Sequence, residues 1–150
     1  MTVAEEFAFQ QTLARLEETS VIQKMKQFCH HRTTDTYHHC KNVALHSYRL
    51  AKQLHWKVSG KSLAVGAMLH DFYLYDTHAE HFNFYEHTFH HATRALLNAD
   101  RHFALNSIEK DMIYSHMWPL NLTHFPRTRE TFLICLSDKI CAVKEVLRML

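Results

Sequence analysis

Apolar residues recur at helical spacing along most of the chain, with polar residues filling the positions between them. From Ala4 to Phe28 the residues Phe7, Leu13, Leu16, Val21, Ile22 and Met25 keep that period, predicting one long helix or two joined near Thr19-Ser20. The polar segment HHRTTDTYHHC follows, and Thr34 or Asp35 supplies an N-cap for a second helix reaching about His55. On that helix His39, Val43, His46 and Leu50 share a face, so at least one histidine is expected to look inward. Ser59 or Gly60 opens a third helical segment that runs through LAVGAMLHD to His70-Asp71. The aromatic stretch FYLYDTHAEHFNFYEH after it reads as irregular chain. A fourth helix is expected from about Phe89 to Asn98, and a fifth from a cap at Asn106 or Ser107 to about His116. Pro119 and Pro126 bracket a loop, and a last helix beginning near Arg127 carries Phe132, Leu133, Leu136, Ile140, Val143 and Leu147.

Gly60, Gly66, Pro119 and Pro126 are the only glycines and prolines, too few for the tight turns of an all-β fold. The fold class is therefore all-α, a compact helical bundle. Its 150 residues fit a single domain, 1–150, able to bury roughly two thirds of its unfolded surface. No internal repeat or low-complexity tract interrupts it.

The formal charge of +2 is spread as interleaved signs, without the basic stripe that tracks a phosphate backbone, which argues against macromolecular nucleic acid as a partner. The N-terminus MTVAEEFAFQQTLARLEE is acidic and amphipathic, unlike a signal peptide, and no apolar run approaches membrane-spanning length. A cytoplasmic protein without a membrane partner is the expectation. Cys29, Cys40, Cys135 and Cys141 lack C-x-x-C spacing and read as reduced, mostly buried thiols.

The 15 histidines change the picture, because their number exceeds ordinary usage and they are spread through most of the chain. The pair His70-Asp71 ends an apolar helix, where an imidazole and a carboxylate can enter one interior pocket and hold a metal ion. Asp138 lies in the otherwise apolar run TFLICLSDKICAV, where a buried carboxylate needs a cation or hydrogen bonds to offset a cost of several kcal/mol. His39, His70, Asp71, His91, His116 and Asp138 come from different helices or helix ends, as when a bundle builds a metal site from facing side chains.

In that order these six residues resemble the HD superfamily of metal-dependent phosphohydrolases, in its histidine-rich branch with two metals. The resemblance spans Tyr37 to Val146, and YHHCKNVALHS, GAMLHDFYLYD, HHATRALLNA, YSHMWPL and LSDKICAVKE are also similar to small bacterial HD proteins. It implies an HD-type bundle with residues 1–30 as an N-terminal helical extension and 37–146 as the core. It further implies that His39, His70, Asp71 and Asp138 hold one metal, that His91 and His116 hold a second, and that Asp71 bridges them. His70 and Asp71 are then the catalytic pair. Two divalent ions, iron or manganese before zinc or magnesium, would bind a phosphate and activate water without a protein nucleophile. Met117 departs from relatives that carry a second histidine after the fifth one.

The activity implied is hydrolysis of phosphate esters or anhydrides on a small, nucleotide-like molecule, and a similar LLHD in diadenosine tetraphosphate hydrolases makes dinucleoside polyphosphates worth testing. Two rivals use the same residues: a di-iron oxygenase of the HD type, and a metal-stabilised binding module without catalysis. Lys139, Arg94, His87 and His90 are candidate substrate-binding residues, and His46 a candidate for hydrogen bonding to a ligand. His30, His31, His55, His78, His81, His102 and His124 read as solvated. Phe72, Tyr73, Tyr75, Phe82, Phe84, Tyr85 and Trp118 read as core, with walls for a nucleobase as the alternative.

Overall fold

The least polar stretch of the chain becomes its central helix. In the computed structural model, which describes residues 1–31, 34–76 and 83–147 and only the backbone of 31 and 84–89, α4 spans Gly60–Leu69. Every residue of α4 except Lys61 is buried. A helix apolar all round has to be enclosed by others. Here α1 (Val3–Glu17), α3 (Thr36–Gln53), α6 (Ser107–Ser115) and α7 (Arg129–Leu147) pack against it, while α5 (Phe84–His102) lies against α6. The chain is all-α, as its pattern predicts.

The entry to α4 is held by carboxylates from both ends of the sequence. Ser59 caps the helix by accepting from the Ser62 N–H, the Ser59 N–H donates to Glu130 Oε1 at 2.7 Å, and the Gly60 N–H donates to the Glu5 carboxylate. Negative groups at the positive end of a helix are favourable, which fixes α1 and α7 against this terminus. Gly60 is needed for that approach: a Cβ there would lie 1.9 Å from the Glu5 carbonyl oxygen. Gly60→Ala is accordingly expected to cost about 1–3 kcal/mol of stability. Thermal unfolding checks this, and an unchanged Tm would mean that α1 moves aside freely.

The first helical segment divides near Thr19-Ser20, as the pattern allows, into α1, the short α2 (Ser20–Gln23) and a 3₁₀ turn (Lys24–Gln27). The polar segment after it departs from expectation. It forms a small antiparallel hairpin, β1 (Cys29–His31) and β2 (Thr34–Asp35), before Asp35 caps α3 by accepting from the His38 N–H. Thr36 anchors the hairpin, donating its N–H and its hydroxyl to the Phe28 carbonyl. Helix α5 is longer at both ends than Phe89 to Asn98, because FYEHT before it and ADRH after it contain no breaker. Asn106 caps α6 in a reciprocal box with Glu109, and the buried Glu109 also accepts from the Ser62 hydroxyl, tying α6 to α4.

The phase of α7 differs from the apolar stripe seen in the sequence. Leu133, Ile134 and Cys141 enter the core, whereas Phe132, Leu136, Val143 and Leu147 are 38%, 41%, 57% and 59% exposed. The inward face is instead the one that carries Asp138 and Glu145, both buried. Phe72 and Tyr73 are core residues, and Tyr75 and Trp118 are half-buried. Phe82 and the side chains of Phe84 and Tyr85 lie outside the described residues. Cys40, Cys135 and Cys141 are buried thiols, Cys29 is half-buried, and none is in a disulfide. Among the described residues, no helix is long and apolar enough to cross a membrane.

Candidate metal centre

Helix α4 ends inside the protein, so its last polar residues do too. His70 is its C-cap, and the chain turns through Asp71 to Tyr73, with the Phe72 N–H donating to the Leu69 carbonyl. Asn98 on α5 staples this turn by donating from Nδ2 to the carbonyls of Phe72 (3.1 Å) and Tyr73 (2.8 Å). The pair His70-Asp71 is thereby delivered buried, at 0% and 3% exposure, where α3, α5, α6 and α7 converge.

The six residues singled out in the sequence meet there. His39 of α3, His91 of α5, His116 at the end of α6 and Asp138 of α7 are all buried around Asp71. Adjacent histidines point about 100° apart on a helix, and the structure separates them: His39 is buried and His38 exposed, and His91 is buried and His90 exposed.

The carboxylate of Asp71 divides the cluster in two. Its Oδ1 lies 3.3 Å from His91 Nε2 and 3.4 Å from His116 Nε2. Its Oδ2 lies 3.5 Å from His70 Nε2 and 3.9 Å from His39 Nε2. Asp138 Oδ1 completes the second side, 3.1 Å from His39 Nε2 and 3.8 Å from His70 Nε2. Donors bound to one cation at about 2.1 Å stand about 3.0–3.4 Å apart. The spacing on the His91 side already matches that, and the His39 side is a few tenths of an ångström wider.

Hydrogen bonds orient the rings for the same purpose. His70 Nδ1 lies 2.7 Å from the Ala67 carbonyl, His116 Nδ1 lies 2.8 Å from the Ile113 carbonyl, and His39 Nδ1 lies 2.9 Å from Glu145 Oε2. A carbonyl can only accept, so His70 and His116 carry their protons on Nδ1 and turn Nε2 toward Asp71. This is the arrangement in which a metal-ligating histidine is held by an outer acceptor. Among the described residues, His70 Nε2 and Asp71 Oδ1 are buried without a hydrogen-bond partner. Buried polar atoms in native proteins are nearly always satisfied, and a cation between these groups would satisfy both. Each of two sets, His39 with His70 and Asp71, and Asp71 with His91 and His116, is close enough to hold one ion.

Electrostatics say the same. Burial would raise the pKa values of Asp71 and Asp138, yet both lie well below the usual carboxylate value. The His70 imidazole and the nearby His116 and His91 rings hold Asp71 down, and His39 with His70 holds Asp138 down. Burial lowers His39, but its bonds to Asp138 and Glu145 outweigh that and push it up to about 10; His70 is raised well above its usual value as well. Burial dominates at His116, which falls to about 4 and is neutral. Two buried carboxylates thus require compensating positive charge, which protons on His39 and His70 provide in a metal-free site.

The remaining candidates fall elsewhere. Lys139 donates to Asp138 Oδ2 at 3.0 Å and to the His116 carbonyl, so it braces the centre. Arg94 and His90 are exposed and line a groove of about 360 Å³ with Leu97 and Arg101. The side chain of His87, like His78 and His81, lies outside the described residues, as does the side chain of His31. His46 bonds at 3.0 Å to the hydroxyl of Ser137, the neighbour of Asp138, instead of to a ligand. His55 and His102 are exposed and His124 half-buried.

Comparison with protein-family models, with curated proteins and with solved structures found no match. The centre is therefore read from its own geometry.

Three contributors escaped the sequence reading. Glu145 accepts from Asn42 Nδ2 with one oxygen and pairs with His39 through the other, and only its place seven residues after Asp138, two helical turns on, signals it. Asn98 acts through backbone carbonyls and leaves no motif. His30 reads as solvated, yet its side chain is only 14% exposed, and its Nδ1 lies 3.5 Å from Asp71 Oδ2. Glu145→Gln is expected to weaken metal binding about 10–100-fold by loosening His39. Metal titration of the folded variant checks this, and an unchanged affinity would remove Glu145 from the centre.

Proposed function

We propose that this chain is a metal-dependent phosphohydrolase of the HD type, with two divalent ions, iron or manganese foremost, sharing Asp71. The observation that carries the reading is the split of the Asp71 carboxylate between two histidine groups. A carboxylate that faces two donor sets in this way is the bridge of a binuclear centre. Nitrogen and oxygen donors without thiolate suit iron, manganese or zinc.

Bound there, two divalent ions supply Lewis-acid polarisation of phosphoryl oxygens and a water of lowered pKa. The chain supplies the rest. Asp71 and Asp138 carry two negative charges against four on the ions, leaving a net positive centre that favours an anionic phosphate over a neutral substrate. The carbonyls of Ala67 and Ile113 and the carboxylate of Glu145 hold three imidazoles in one orientation, so no reorganisation accompanies the reaction. Tyr75, half-buried just after Asp71 and packed on the buried Tyr73, offers aromatic surface for a base, which supports a nucleotide-like phosphate ester or anhydride as substrate.

The test is elemental analysis of protein purified without chelator or histidine tag, followed by a screen of nucleotides, dinucleoside polyphosphates and simple phosphate esters with oxygen uptake monitored in parallel. About two ions per chain and phosphate release are expected. Oxygen uptake without phosphate release would make the chain an oxygenase, and bound metal without any turnover a binding module. His116→Ala should retain about one ion and lose phosphate release; loss of neither would argue for a single-metal centre.

A further inference from the structure

We propose that His30, carried on the hairpin ahead of α3, is a fifth protein donor at the metal position formed by His39, His70, Asp71 and Asp138. The inference rests on the reading that the cluster holds two ions, and it decides which of them meets the substrate.

Three observations bring His30 into the centre. Its Nδ1 stands 3.5 Å from Asp71 Oδ2, the same separation that His70 Nε2 has from that oxygen. Its ring stacks face to face on His39, with centroids 3.8 Å apart and planes inclined by 24°, so it is packed directly against one of the ligands. The third observation is its place in the hairpin, at the register irregularity between Cys29 and His31. β1 pairs with β2 with Cys29 opposite Asp35, the residue that caps α3, so His30 is tied to the same helix start that aims His39. The Tyr73 hydroxyl borders the same nitrogen, 3.5 Å from His30 Nδ1 and 3.3 Å from Thr36 Oγ1.

A second arrangement competes for the same ring. His30, His39 and Glu145 also lie within reach of a single ion. That ion would have to take His39 Nδ1, which is engaged with Glu145 Oε2 at 2.9 Å, and would remove the bond that turns His39 Nε2 toward Asp138 and Asp71. Placing His30 with Asp71 keeps that bond intact.

The consequence is an asymmetric centre. One position has three imidazoles and two carboxylates, close to saturation for iron or manganese, while the other has Asp71, His91 and His116 alone. Catalytic metal positions are those that keep open sites for water and substrate. The His91–His116 position is therefore the one that takes the phosphate, and the His30 position holds its ion in place.

Cobalt(II) alone is the probe, titrated into the metal-free chain and followed by paramagnetic proton NMR and by competition with a chelator. At one equivalent the wild type should show three sets of hyperfine-shifted histidine ring protons, from His30, His39 and His70. His30→Ala and the gentler His30→Gln should each lose one set, and the tighter cobalt affinity should fall at least about 10-fold, as loss of a donor costs no less than loss of an outer partner. Only two shifted sets in the wild type would overturn the proposal, whether His39 with His70 or His91 with His116. So would a His30 variant with unchanged spectrum and affinity. The wild-type count does not depend on any variant folding. Absence of cobalt binding would sink the metal-centre reading itself, whereas binding with two sets sinks only the role of His30.

Discussion

On the proposed binuclear phosphohydrolase reading, Asp71→Asn is expected to empty both metal positions and to reduce metal-dependent phosphate release by at least about a thousand-fold, the scale of losing a principal charge-stabilising group. The reason is that Asp71 belongs to both sets of donors. Its Oδ1 faces His91 and His116, and its Oδ2 faces His39 and His70. The asparagine keeps the shape but removes a buried charge that two ions would share, and it offers a poorly ligating amide to one side. Elemental analysis should fall from about two ions per chain to none, with circular dichroism confirming the fold. His124→Ala, remote from the centre beside Tyr114, should change neither quantity. Retention of full activity in Asp71→Asn would eliminate the bridging role, and retention of one ion would show that the two positions are independent.

Metal affinity is expected to rise steeply with pH, by up to about 100-fold per unit, because two protons leave as the first ion enters. His39 is held up at about 10 and His70 well above its usual value, so both are protonated at neutral pH in the metal-free protein. An ion must displace those protons to reach the ring nitrogens. His116, lowered to about 4, is already neutral at pH 7 and releases no proton when an ion arrives. Calorimetry in buffers of different ionisation enthalpy measures the protons directly. Release of none at pH 7 would mean that His39 and His70 are neutral before metal arrives.

The same shifts set the stability of the metal-free fold. His39 is raised on folding, so its contribution is complete below the unfolded value of 6.5 and disappears as pH climbs through about 10. Asp71 and Asp138 are lowered, so theirs is present above 3.8 and lost as pH falls through the depressed values. His116 works against the fold in acid: between 6.5 and about 4 the unfolded chain takes up a proton that the folded chain refuses. A metal-free protein should thus be most stable near neutrality, and added metal should extend its stability to alkaline pH.

The sequence by itself marked out most of the helices, and with the HD resemblance it singled out six residues that the fold brings together. Apolar period and capping residues are local, which is why Asp35, Ser59 and Asn106 mark helix starts correctly. His39 and Asp138 were legible for a related reason, since a polar residue on an apolar face has to find a partner inside, whereas His91 was singled out by the HD resemblance. Tertiary structure alone decided the pairing of donors. Which oxygen of Asp71 faces which histidines depends on where α3, α5, α6 and α7 cross α4, and no local pattern encodes that. It also decided the face of α7, which turns Leu133, Ile134 and Cys141 into the core together with Asp138 and Glu145 and leaves Phe132, Leu136 and Val143 exposed. His30 shows the limit most clearly. Sequence places it in a polar, histidine-rich segment that reads as solvated, and only the pairing of β1 with β2 turns it toward Asp71. Strand pairing is a contact between separate pieces of chain, so its consequences exist only once the chain has folded.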